Sequence, residues 1–367
     1  MQRASLIEDG GWTELLSRLP SGIDLKATAE AHKAFVRARG VPDAASLLRL
    51  ALAYGAGGLS LRTAAAWARQ AGVAEVSDVS LLDRLRNSAT WLEQLWQSVL
   101  AERVAPVAMP GLGLAVRLVD ATTFSSPRTQ GTEWRLHMDY RPLEGRFGGA
   151  VLTDGRQSEG FHHFEAGPGE LVTADRGYAK ARGLAKVHDS GGCFLVRIGW
   201  RSLALLDEDG QDFKILDVIA KLPPEQISEF TVQVASDSKR RRPVCTARLI
   251  FAPLPEGAGR RARKKAAYKS KRQGRTILPQ GAAAANWLIL ISTAPSQNAT
   301  SDQLVALYRL RWQIELAFKR LKSLLHMDEL EAKDPRLARS WLAANLLVAL
   351  LADDIDEVAD SPPCAPC

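Results

Sequence analysis

Near residue 114 the apolar residues change their period, and that change limits what the chain can fold into. Upstream, apolar side chains recur at helical spacing, as in the stretches 45–54 and 91–96. Downstream, Leu114, Val116 and Leu118 alternate with Ala115, Arg117 and Val119, which is the period of a strand, and the run ends at Asp120. Residues 134–140 alternate in the same way, and a strand at 149–153 is closed by the turn pair Asp154-Gly155. Another short strand, 170–174, ends at Asp175. A helix up to Gly191-Gly192 and an apolar strand at 193–198 follow. Strands and helices interleaved behind a helical start predict an α/β core preceded by an all-α N-terminal domain.

The second half adds strand-like segments at 230–234 and 246–251, separated by charged and proline-rich turns. Residues 287–292 read as a buried strand, and Ser301-Asp302 as the cap of one long helix. A chain of 367 residues exceeds one simple core. The expected division is a helical N-terminal domain at 1–105, the first part of the core at 106–199, a β-rich insertion with a basic segment at 200–284, and the rest of the core with a C-terminal tail at 285–367.

Charge is concentrated. Between Gly259 and Arg275 lie Arg260, Arg261, Arg263, Lys264, Lys265, Lys269, Lys271, Arg272 and Arg275, with no acidic residue, and these cations exceed the whole net charge of +7. Such a segment suits a polyanion, because each neutralised phosphate releases counterions; the bland alternative is a solvated linker. Gly259, Gly274 and Pro279 predict that it is loop-like. A second DNA contact is expected in the N-terminal region. There the stretch 60–68 reads as a capped helix ended by Gly72, and Ser80–Arg86 as the helix after it, a helix-turn-helix pattern that places Arg84 and Arg86 on the second member. Plain helical packing is the competing reading.

Four cysteines in so long a chain imply a reducing compartment, and Cys364-x-x-Cys367 lacks the further ligands a zinc site needs. The start has no apolar signal core, and the longest apolar run, about 342–352, is interrupted by Asn345 and too short to span a bilayer. The expected location is therefore cytoplasmic, with no membrane partner.

Chemistry is expected at the strand ends. Ligands gather beyond the carboxyl ends of strands in open α/β sheets, and carboxylates there are hard ligands for Mg²⁺. Asp is also an ordinary turn residue, so Asp120 and Asp175 acquire weight only beside the long helix. At about 100° per residue, Tyr308, Arg311, Glu315 and Lys322 share one stripe of that helix, next to an apolar face of Leu307, Leu310, Ile314, Phe318, Leu321 and Leu325. In-line displacement at phosphorus uses two metal ions about 3.5–4 Å apart, and several carboxylates must neutralise them. Arg311 and Lys322 would hold phosphates, and Tyr308 would donate to a phosphate or stack on a base. His162-His163 is set aside as a metal site, because neighbouring residues on a strand point to opposite faces.

Tyr308-x2-Arg311-x3-Glu315-x6-Lys322 resembles the Y-R-E-K signature of the insertion sequence 4 family of DDE transposases. Residues 119–123 resemble the segment around that family's first aspartate, and 174–178 that around its second. The resemblance covers roughly residues 1–355 and implies a ribonuclease-H-like catalytic core with a β-rich insertion between the second aspartate and the glutamate. It implies catalysis by Asp120, Asp175 and Glu315 with two Mg²⁺ or Mn²⁺ ions, double-stranded DNA partners (element ends and target), and a homodimer on the DNA. Two alternatives stay open: a ribonuclease-H-like nuclease without strand joining, and a truncated copy that only binds DNA. The second is raised by the ending at 360–367, which is unlike a folded helix end.

Overall fold

The structure is a computed structural model describing residues 8–102, 107–125, 133–236, 242–272, 274, 279–325, 330, 332 and 334–351. The Cys364-x-x-Cys367 tail and Arg275 lie outside the described residues.

The helical start forms α1 (Asp9–Ser17), α2 (Leu25–Ala31), α3 (Ala44–Tyr54), α4 (Leu61–Gln70), α5 (Asp78–Arg86) and α6 (Ala89–Ala101). Polar caps begin four of them: Asp24, Asp43, Ser60 and Ser77 each accept from the backbone amide three residues on, satisfying a donor the helix leaves unpaired. Gly72, with φ +65°, follows α4 as expected. The helix after it starts earlier than Ser80, because Ser77 takes the cap by accepting from the Ser80 amide.

The α/β part contributes β1 (Ala115–Phe124), β2 (Trp134–Arg141), β3 (Arg146–Asp154), β4 (Glu170–Ala174), α7 (Ala181–Asp189) and β5 (Cys193–Arg197). Then come β6 (Leu205–Leu206), α8 (Ile215–Ile219), β7 (Ser228–Ala235), β8 (Pro243–Pro253), α9 (Glu256–Arg272), α10 (Pro279–Ala284) and β9 (Trp287–Ser292). The chain continues through α11 (Ser301–Arg309), α12 (Trp312–Leu325) and α13 (Pro335–Leu351). All nine strands form one sheet, in the order β3-β2-β1-β4-β5-β9-β8-β7-β6. β1, β2 and β3 are antiparallel neighbours, while β4 and β5 run parallel to β1, which is the ribonuclease-H-like core. The strands of the 200–284 interval continue the same sheet, since β8 pairs β9 and β9 pairs β5.

Alternation decides the layers. Val116, Leu118, Leu171, Leu195 and Leu290 face one side, packed with the N-terminal helices, α12 and α13. Val119, Val172, Phe194, Val196 and Ile291 face the other, with α7 and α8. Both faces are covered, as a sheet with a parallel centre requires. The apolar run around Asn345 is α13, buried between α6, α3 and α5. No helix among the described residues is long and apolar enough to cross a membrane.

Two expectations are corrected. The basic segment is the helix α9, not a loop. Gly257 and Gly259 fall in its first turn, Gly274 (φ +64°) follows its end, and Pro279 opens α10, so the breakers mark helix ends and leave a glycine- and proline-free interior of good helix formers. The single long helix is two, separated at Leu310-Arg311. The Leu310, Arg311 and Gln313 amides bond carbonyls three residues back, so the chain tightens there before α12 begins. The cap is Thr300, in a capping box with Gln303, and Ser301 is the first helical residue.

Candidate active site

The parallel ladder between β1 and β4 runs from Ala115–Glu170 to Val119–Ala174 and stops. Asp120 and Asp175 are the next residue on each strand. The register that pairs Val119 with Ala174 therefore sets the aspartates side by side, at roughly the 4.8 Å spacing of neighbouring strands. β1 itself continues to Phe124 along β2, so Asp120 ends the parallel contact rather than its strand. Asp175 caps the 3-10 turn Arg176–Tyr178, accepting from the Gly177 amide at 2.7 Å.

Asp120 is mostly removed from water, and its carboxyl is pushed up to about 6. Burial is the main cause; Asp175 and Glu159 push in the same direction, while the Ala121 amide (2.8 Å) and Arg311 pull it down.

Glu315 stands in the first turn of α12, half exposed. Arg311 joins it to Asp120: one guanidinium nitrogen lies 2.6 Å from Glu315 Oε1, another 3.6 Å from Asp120 Oδ2. The guanidinium also lies 5.9 Å from the ring centre of Tyr308, which is buried. Lys322 donates to the Thr123 carbonyl at 2.9 Å and stands 4.9 Å from the Phe124 ring centre, on the last residues of β1. Despite the break in the helix, Tyr308, Arg311, Glu315 and Lys322 thus gather along β1 from Asp120 to Phe124.

The other expected DNA-binding residues are placed elsewhere. Arg260, Arg261, Arg263, Lys264 and Lys265 are exposed on α9, with Arg260 paired to Glu256 and Arg263 to Asn286. Arg84 donates to the Arg37 and Arg39 carbonyls, and Arg86 pairs with Asp83 and Asp334. His162 and His163 form a 3-10 turn rather than a strand, so their rings do not diverge: they lie 3.8 Å apart, and His163 stacks on His137 at 3.7 Å.

Two further residues stand beside Asp120 and Asp175, namely Glu159 and Tyr178, neither named as a site residue from the sequence. Glu159 lies on a loop without pattern, and no local signal marks it. Tyr178 is fully buried, and its hydroxyl has no hydrogen-bond partner among the described residues although Asp120, Glu159 and Asp175 are its charged neighbours.

No three acidic, histidine or cysteine side chains among the described residues stand closely enough to hold a metal ion as they are. Between Asp120 and Glu315 the positive charge is that of Arg311. The donor chemistry nevertheless suits a hard divalent ion, being all carboxylate oxygen. A Cβ at Gly177 would fall 2.5 Å from Glu159 Oε2 and 3.0 Å from Asp175 Oδ1, so the glycine keeps open the space between those carboxylates.

The fold defines the class first: an α/β chain built on a ribonuclease-H-like core. The pattern of the transposase DDE domain matches residues 112–351. The chain is 39% identical over 355 residues to the putative transposase InsL of insertion sequence element IS186A of Escherichia coli K12, covering 96% of each chain. It is equally similar to the transposase of element IS421 of Escherichia coli over 356 residues, again 96% of each. A more remote relative, the transposase of IS231F of Bacillus thuringiensis subsp. israelensis, is 22% identical over 244 residues, 58% of this chain and 50% of that one. The chain belongs to the DDE transposase family: it is a DNA-cleaving and strand-transferring enzyme of the insertion-sequence type, and its chemistry depends on divalent metal.

Proposed function

We propose that Asp120, Asp175 and Glu315 are the catalytic carboxylates, and that they hold two Mg²⁺ or Mn²⁺ ions during cleavage at the element ends and transfer of the 3′-OH into target DNA. The observation that carries this reading is the Arg311 bridge, which links the α12 carboxylate to Asp120, beside which the strand register sets Asp175. Bound metal would supply the charge that activates the attacking oxygen and stabilises the leaving one. The chain's own residues do the rest. Asp120 and Asp175 fix one end of the site through the sheet. Arg311, freed from Glu315, offers a planar fork to a DNA phosphate, and Lys322 a point charge beside it. Tyr308 backs the guanidinium. The duplex is held outside the site by phosphate contacts from α9 and by α4 and α5, whose arginines Arg84 and Arg86 would exchange internal partners for DNA. A homodimer on paired ends, acting in the cytoplasm, completes the reading.

Glu315→Gln tests it. The amide keeps the shape and removes the charge a metal needs. Strand nicking should be abolished while gel-shift affinity for end DNA stays within about twofold. Equal loss of both would show that Glu315 serves DNA binding or folding.

A further inference from the structure

Glu159 lies on the connection between β3 and the 3-10 turn Phe161–His163, far from Arg311 and Glu315 in sequence. That connection is tied down through its backbone. Lys180 Nζ donates to the Glu159 carbonyl at 2.6 Å and to Ser158 Oγ at 3.1 Å. His163 Nε2 meets the Ser158 carbonyl at 3.0 Å while its ring stacks on His137, and Arg135 donates to the Gln157 carbonyl. Every one of these ties spares the Glu159 carboxylate. Among the described residues no cation pairs with it or with Asp175.

Two carboxylates therefore approach each other over Gly177, with no ion pair to either among the described residues. Both would crowd a single Cβ placed there, at 2.5 and 3.0 Å, so the absence of a side chain is what lets them approach. Carboxylate oxygens gathered in this way are hard donors for a divalent cation. An independent observation points to the same place. The Tyr178 hydroxyl is buried beside Asp120, Glu159 and Asp175 with no hydrogen-bond partner among the described residues, and a buried hydroxyl left unpaired costs roughly 1–3 kcal/mol. A hydrated cation at the carboxylates would bring water ligands able to donate to that oxygen.

We infer that Glu159 is a fourth carboxylate of the site and, together with Asp175, ligates a divalent cation over Gly177. This rests on the reading of Asp120, Asp175 and Glu315 as metal ligands. The backbone ties of its loop hold the carboxylate in place without neutralising it, which is what a metal ligand requires.

The test is Mn²⁺ binding to the full chain, with free Mn²⁺ followed by electron paramagnetic resonance, and needs no catalysis. Glu159→Gln should weaken Mn²⁺ binding by at least about tenfold, the lower range for losing a group that supports a metal site. Glu165→Gln, an exposed neighbour outside the cluster, should match wild type, and Asp120→Asn should weaken binding as well. If Asp120→Asn weakens binding and Glu159→Gln does not, Glu159 is no ligand while the triad stands. If neither does, the metal reading of the site fails and the inference falls with it. Thermal melts in chelator report folding. If Glu159→Gln melts below the assay temperature, Glu159→Asp, which keeps the charge but withdraws it by a methylene, is read in its place by the same two outcomes.

Discussion

Asp120 pays for its position. Buried beside Asp175, it holds its proton to about pH 6, whereas the unfolded carboxyl releases it near 3.8. Between those values the folded chain binds more protons than the unfolded one, so the contribution of this group to stability falls as pH rises and is fully lost above about 6. At ~1.4 kcal/mol per pH unit, the loss is at most about 3 kcal/mol. In chelator, Asp120→Asn should therefore be more stable than wild type at pH 7 by up to that amount, and the advantage should vanish near pH 4. Urea unfolding of both chains at several pH values measures the difference, and a gap that stayed constant with pH would contradict it. The sequence marks both aspartates at the close of an apolar run, but only the parallel register of β1 and β4 sets them side by side, and β1 continues past Asp120. It does not mark Glu159. Its place depends on a loop folding back across Gly177, and nothing local in Arg156-Gln157-Ser158-Glu159 records that.

Among the elements, a single dominant period marks its segment plainly, while glycine and proline punctuation carries two meanings. β4 and β9 fall on the very residues their apolar runs marked. Glycines and a proline around the basic segment looked like loop signals, yet they bound a helix. The break at Leu310-Arg311 had no glycine or proline to announce it. It coincides with the residue whose guanidinium must reach both Asp120 and Glu315. The helical form of the basic segment changes how α9 would meet DNA but not the kind of contact: Arg260, Arg261, Arg263, Lys264 and Lys265 spread over about half the circumference. Replacing these five with Ala, itself the best helix former, should leave the helix intact. It should weaken end DNA and random DNA alike, and flatten the slope of log affinity against log salt by about 0.9 for each phosphate no longer neutralised. A salt titration on both DNAs decides it. An unchanged slope would make α9 a solvated strut, and a selective loss on end DNA would make it a reader of bases.

Across the whole molecule, the first and last described helices share one core. Leu342, Ala343, Ala344, Leu346 and Leu347 of α13 are almost wholly buried, in the cluster that also holds Leu47, Leu85, Trp91 and Trp96. Arg339 pairs with Glu93 at 2.5 and 2.7 Å, Arg86 with Asp334 at 2.8 Å, and the Ser340 hydroxyl donates to the Leu85 carbonyl. A boundary near residue 105 describes the chain's composition; the packing crosses it. Leu347→Ala should cost about 2–5 kcal/mol, as for other fully buried leucines. It should also lower the melting of the N-terminal tryptophans and of the sheet together, followed by fluorescence and circular dichroism. Two separate transitions would show that the helical region stands on its own.

Because α13 completes the core of α3, α5 and α6, the order of synthesis becomes part of the folding problem. Those early helices emerge from the ribosome with Leu47, Trp91 and Trp96 lacking their partner until some 250 further residues have been translated. At about 5–20 residues per second that is an interval of tens of seconds. The nascent chain spends it with the apolar surface that α13 will cover still unfinished.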